Sequence, residues 1–258
     1  MSGAELNSGL KLIPAAHEEA VQVISRHALP LGVKPDGRDF PWEKVARATF
    51  TLLRLQTGCF FITCDHVFRE LRELQKTHPG AEIVAYLTTS SRFCELSGFR
   101  LIARDERPLD VAIFAGLDDI VELPGLDFID YHASYLEDPL PGEGVSIVGY
   151  PSDNITVTNQ VAEFGRMHIG FTISSVSYRY ITLANERGDR QFLDYNTSRR
   201  SSINLGGMSG SPAFVIRNHE YRFVGIVTEC HERDRTIVIS RLGCINPDGT
   251  LDYTKIPC

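Results

Sequence analysis

From Val45 onward the chain breaks into short apolar or alternating runs rich in Val, Ile, Phe, Thr and Tyr, punctuated by Gly, Pro, Asn and Asp. A period near two with turn residues at close intervals is the pattern of many short strands, and it leaves little room for long helices. The runs fall at Ala46–Leu55, Cys59–Thr63, Glu82–Leu87, Phe99–Ala103, Val111–Ala115, Val145–Gly149, Ala162–Ile173, Ser177–Ala184, Ala213–Ile216, Phe223–Thr228 and Thr236–Ile239. One amphipathic helix interrupts them, His66–Lys76, with Val67, Phe68, Leu71 and Leu74 on one side. A second helix is expected at Ala15–Leu29, between Pro14 and Pro30, followed by a Gly- and Pro-rich connection over Leu31–Pro41.

A chain of 258 residues lies near the size at which one core gives way to two. The segment Tyr135–Gly144 concentrates Pro, Gly and acid between two groups of strands, which marks it as the linker. The expected organisation is therefore an N-terminal extension with one helix over 1–44, a first β unit over 45–138 and a second over 139–258.

Charge and composition exclude several classes of function. The formal net charge of −7 offers no field to gather nucleic acid or an anionic membrane. No run approaches the ~20 apolar residues of a membrane helix, and the first thirty residues lack a basic start followed by an apolar stretch. A cytoplasmic protein is the expectation, with its six cysteines as free thiols. Cys59 and Cys64 lack a second ligand pair, so neither a metal nor an organic cofactor is expected.

The stretch with most chemistry is Gly206-Gly207-Met208-Ser209-Gly210-Ser211-Pro212, ahead of an apolar run. A serine hydroxyl attacks a carbonyl only when a base takes its proton, and the oxyanion that results needs donors already in place. Glycines on both sides of Ser209 let amide N–H groups converge, and Gly207 and Ser209 are the expected donors. Taken alone, the stretch is equally a tight turn. Two further stretches supply what it would need: Phe60-Phe61-Ile62-Thr63-Cys64-Asp65-His66 ends a buried strand with a histidine, and Asp110-Val111-Ala112-Ile113 opens another strand with a carboxylate. The remaining histidines stand in no comparable context.

On these three motifs the sequence resembles the chymotrypsin-like serine proteases, whose patterns are T-A-x-H, D-[LIV]-A-[LIV] and G-x-S-G-[GS]-P in that order. The resemblance spans roughly residues 45–242. It implies an all-β fold of two antiparallel β-barrels, His66 and Asp110 in the first and Ser209 in the second, with the N-terminal helix as an appendage. It implies a serine endopeptidase in which His66 is the general base, Asp110 orients it and Ser209 forms an acyl-enzyme on protein or peptide substrates. It also places Thr228, Glu229 and Cys230 near the substrate; an inward Glu229 would favour a basic residue, an outward one an apolar pocket. Met208 stands where digestive members carry an activating aspartate, and Cys59 and Cys64 do not have the spacing of their histidine-loop disulfide. A catalytically silent peptide-binding module on the same scaffold, or an esterase, is the competing expectation, and the N-terminal helix is a candidate site for a regulatory partner.

Overall fold

The computed structural model describes residues 22–34, 46–87, 92–116, 126–152, 155–158, 161–184, 193–194, 205–218, 220–231 and 236–255. The first sheet contains β1 (Ala28–Lys34), β2 (Ala46–Leu55), β3 (Gly58–Thr63), β4 (Glu82–Leu87), β5 (Arg92–Glu95), β6 (Arg100–Asp105) and β7 (Val111–Ala115). Their order is β5-β4-β1-β2-β3-β7-β6, all antiparallel, and a short β8 (Ile129–Asp130) adds to β2 in parallel. Helix α1 (Asp65–Thr77) follows β3, and one turn of helix, α2 (Tyr131–Ser134), follows β8.

The second sheet contains β9 (Gly144–Gly149), β12 (Met167–Val176), β13 (Tyr180–Ala184), β14 (Leu193–Asp194), β15 (Pro212–Arg217), β16 (Glu220–His231) and β17 (Thr236–Ser240). The pairing of β12 with β13 closes six of these strands into a barrel. A separate hairpin joins β10 (Ile155–Thr158) to β11 (Val161–Phe164). Besides that hairpin, the described residues thus form two antiparallel sheets of chymotrypsin-like topology, one a closed six-strand barrel and the other open. The expected all-β class holds in that form.

Alternation along β15 and β16 shows how the two units meet. Ala213, Val215, Val224 and Val227 line the closed barrel, while Phe214, Phe223 and Ile226 pack with the core of the first sheet. That core is aromatic: Phe61 meets the edges of Phe50, Phe99 and Phe128 with ring centroids 5.8, 4.7 and 5.7 Å away. Full burial of each such side chain contributes roughly 1.5–3 kcal/mol. The site therefore sits on a well-packed floor.

Two strand expectations change. Leu31–Pro41 reads as a connection because Pro30 and Gly32 are breakers, yet Leu29, Leu31 and Val33 are buried in β1, between β2 and β4. Pro30 is tolerated because β4 pairs with β1 only from Leu31 onward, so no strand on that side requires its missing N–H. The run Ala162–Ile173 divides into β11 and β12 at residues 165–166. Of the expected N-terminal helix, residues 22–25 are helical and residues 15–21 lie outside the described residues.

Candidate active site

β3 ends at the buried Thr63, and Cys64, also buried, keeps an extended backbone (φ −76°, ψ 144°) before α1 begins. Val67, Phe68 and Leu71 seat that helix, which leaves His66 in its first turn with its side chain 33% exposed. Asp110 stands at the end of the β6–β7 connection in the left-handed region (φ 51°), a conformation that costs a non-glycine residue of order 1 kcal/mol or more. Its carboxylate accepts from the His66 backbone N–H at 2.9 Å and lies 2.5 Å from Nδ1 of the same residue. An ionised carboxylate only accepts, so Nδ1 carries the proton and Nε2 keeps its lone pair. Burial alone would lower the His66 pKa, but the hydrogen bond and charge of Asp110 outweigh it and raise the imidazole above its ordinary value.

The segment 206–210 is held from the opposite unit. Thr49 on β2 donates its N–H to the Ser209 carbonyl (2.9 Å) and its hydroxyl to the Gly207 carbonyl (3.2 Å). Thr51 donates to the Gly210 carbonyl at 2.7 Å. Gly207 and Gly210 have φ of +92° and +85°, and a Cβ on Gly210 would lie 2.1 Å from the Thr49 carbonyl oxygen. Along this loop the N–H groups of Met208, Gly210 and Ser211 have backbone acceptors. Among the described residues, those of Gly207 and Ser209, the two expected oxyanion donors, make none.

The structure brings a different third group to the histidine. The Cys64 thiol, a ring nitrogen of His66 and an Asp110 oxygen lie within 4.8 Å of one another. Cys64 has no exposed surface and its thiol donates to the Val227 carbonyl at 3.2 Å. Burial, with the nearby Asp110 charge, raises its pKa well above the ordinary thiol value. Among the described residues these are the donors that could hold a metal ion. The 2.5 Å separation of Nδ1 and the carboxylate is, however, a hydrogen bond, tighter than the roughly 3 Å between two ligands on one tetrahedral ion.

The expectation of a serine-centred triad is corrected by this cluster. His66 and Asp110 come together as expected, but no hydrogen bond joins the Ser209 hydroxyl to His66 among the described residues, and the reactive side chain clustered with the pair is the thiol of Cys64. Serine endopeptidase activity and membership of the serine-protease family therefore do not stand. The sequence signal for the cysteine was present in Thr63-Cys64-Asp65-His66, where the thiol precedes the histidine by two residues at a strand end.

The expected substrate contacts are divided. Thr228 is buried at a bulge of β16, Cys230 is half-buried, and Glu229 points to solvent with its carboxylate 2.8 Å from His231 Nε2. The five cysteines described are free thiols, and no helix among the described residues is long and apolar enough to cross a membrane.

No protein-family profile matches the chain, and no curated protein matches it. Among solved structures it is similar to the protease of tobacco vein mottling virus, with a TM-score of 0.49 and 12% identity over 92% of each chain. It is also similar to a structure titled for the coupled folding and binding of the intrinsically disordered Sesbania mosaic virus VPg protein, with a TM-score of 0.47 and 11% identity over 84% of this chain and 85% of that one.

Proposed function

We propose that the chain is a cysteine-type hydrolase of peptide bonds on a two-barrel architecture, the open first sheet serving as the partner of the closed barrel. Cys64 is the nucleophile, His66 the general base and Asp110 the group that orients the imidazole. The observation that carries this reading is the convergence of thiol, imidazole and carboxylate within 4.8 Å. His66 Nε2 takes the thiol proton as sulfur attacks the carbonyl, and returns it to the departing amine; water then hydrolyses the thioester. The free N–H groups of Gly207 and Ser209 are the donors for the oxyanion, and Thr228, Glu229 and Cys230 the candidate substrate contacts.

The resting thiol is buried and protonated, so the reading requires Cys64 to leave the Val227 carbonyl before attack. A reducing compartment such as the cytoplasm suits a centre of this kind. A regulatory partner at the N-terminal helix belongs to the same proposal; residues 1–21 lie outside the described residues.

Turnover of a peptide library by Cys64→Ala and Ser209→Ala tests the assignment. Cys64→Ala is expected to lose about a thousandfold or more in kcat/KM, and Ser209→Ala, which keeps its backbone N–H, less than about tenfold. The opposite ranking would overturn it.

A further inference from the structure

Asp65, the residue before the histidine, has a side chain with no exposed surface. An isolated buried carboxylate is costly, and two arginines answer this one. Arg104, on β6, donates from Nη2 to Oδ2 at 3.0 Å, and its Nε lies 2.8 Å from Oδ1 as an ion-pair contact without hydrogen-bond alignment. Arg69, one turn along α1, places Nε 3.1 Å from Oδ2, and its Nη1 lies 3.1 Å from Glu106. Arg104, Glu106 and Asp110 belong to one short stretch, the end of β6 and its connection to β7. That stretch is therefore tied to the first turns of α1 at three points: Arg104 to Asp65, Glu106 to Arg69, and Asp110 to His66.

We propose that Asp65, through its paired contact with Arg104 and the strut from Arg69 to Glu106, is a positioning residue that sets the His66 ring against Asp110. The inference rests on the catalytic role of His66 given above. Replacing a buried ion pair by apolar groups is often neutral for stability, so a hydrogen-bonded ion pair here acts on geometry more than on net stability. The competing explanation is that Asp65 only favours the positive end of the helix dipole. That role needs no partner on β6 and would be indifferent to Arg104.

Asp65→Asn, Arg104→Lys and Arg69→Gln separate these explanations in the full chain. Three readouts are taken: kcat and KM on a cleaved peptide, the Nδ1–H proton resonance of His66 by NMR, and the melting temperature. For Asp65→Asn and Arg104→Lys the expected result is a fall in kcat of about ten- to a hundredfold with KM within about twofold. The Nδ1–H resonance should broaden or shift as the His66–Asp110 hydrogen bond loosens. Arg69→Gln removes the strut to Glu106 and the second ion pair of Asp65 but leaves Arg104 on the carboxylate, and it should fold even if the other two variants do not; its kcat should fall about threefold. Variants that melt earlier but keep wild-type kcat and an unchanged Nδ1–H resonance would overturn the inference. The resonance decides it even if no peptide is cleaved, so a failure of the proposed activity is told apart from a failure of the positioning role.

Discussion

The two segments that build the site are each gripped by the opposite unit, but by different physics. The 106–110 connection belongs to the first sheet, yet Ser240 of β17 donates to the Leu109 carbonyl at 2.7 Å and Tyr180 of β13 donates to the Pro108 carbonyl. The 206–210 segment belongs to the second unit and is held by Thr49 and Thr51 of β2. The first is also tied by charge, Asp110 to His66 and Glu106 to Arg69, with the Asp110 and His66 side chains partly exposed. The second is held by neutral hydrogen bonds to buried threonines and by glycines with no room for a side chain. The site thus exists only where both units are docked. The half around His66 and Asp110 should answer to charge and pH, and the glycine-rich half to packing and backbone freedom.

The largest effect is expected from the charged half. Asp110→Asn should cost about a thousandfold or more in kcat/KM, because the imidazole loses its tautomer and orientation. Asp110 raises the His66 pKa above 6.5, so wild-type activity, which needs a neutral imidazole, should rise with pH through a midpoint above that value. In the variant, burial is left to dominate and the midpoint should move below 6.5. The linked stability has the opposite course: it is fully present below pH 6.5 and is lost as pH rises through the folded value. A pH–rate profile and an NMR titration of His66 measure both.

The neutral half should break by shape. Gly210→Ala places a methyl group 2.1 Å from the Thr49 carbonyl oxygen and 2.6 Å from the Thr63 hydroxyl at a positive φ, and about 3 kcal/mol or more of stability should be lost in urea unfolding. Thr51→Val keeps the shape but strands the Gly210 carbonyl, for about 1–2 kcal/mol and a lower kcat. Gly142→Ala, at φ +90° with nothing within 4 Å of the new carbon, should cost only about 1 kcal/mol and leave kcat unchanged. If Gly210→Ala cost no more than Gly142→Ala, the close seat of this loop on β2 would be wrong.

What the sequence could reveal divides along the same line. The limits of β2, β4 and β7 match the expected runs because each is bounded by turn residues, and His66 and Asp110 were legible because each adjoins a buried strand. β1 was not, since Pro30 and Gly32 mask a strand whose burial depends on neighbours distant in sequence. For the same reason, deleting the residues through Leu31 would remove part of a buried strand rather than an appendage. The thiol beside the pair is not legible in the same way, because the glycine-rich motif around Ser209 offers a second nucleophile in a stronger local pattern. Local motif chemistry does not report which side chain the fold turns toward the imidazole.

Trapping the acyl intermediate identifies the attacking atom. The enzyme is mixed with an activated peptide ester, quenched in acid, and the acylated residue is located by mass spectrometry. The expected product is a thioester on Cys64, absent in Cys64→Ala and cleaved by neutral hydroxylamine. An oxygen ester on Ser209 would contradict it.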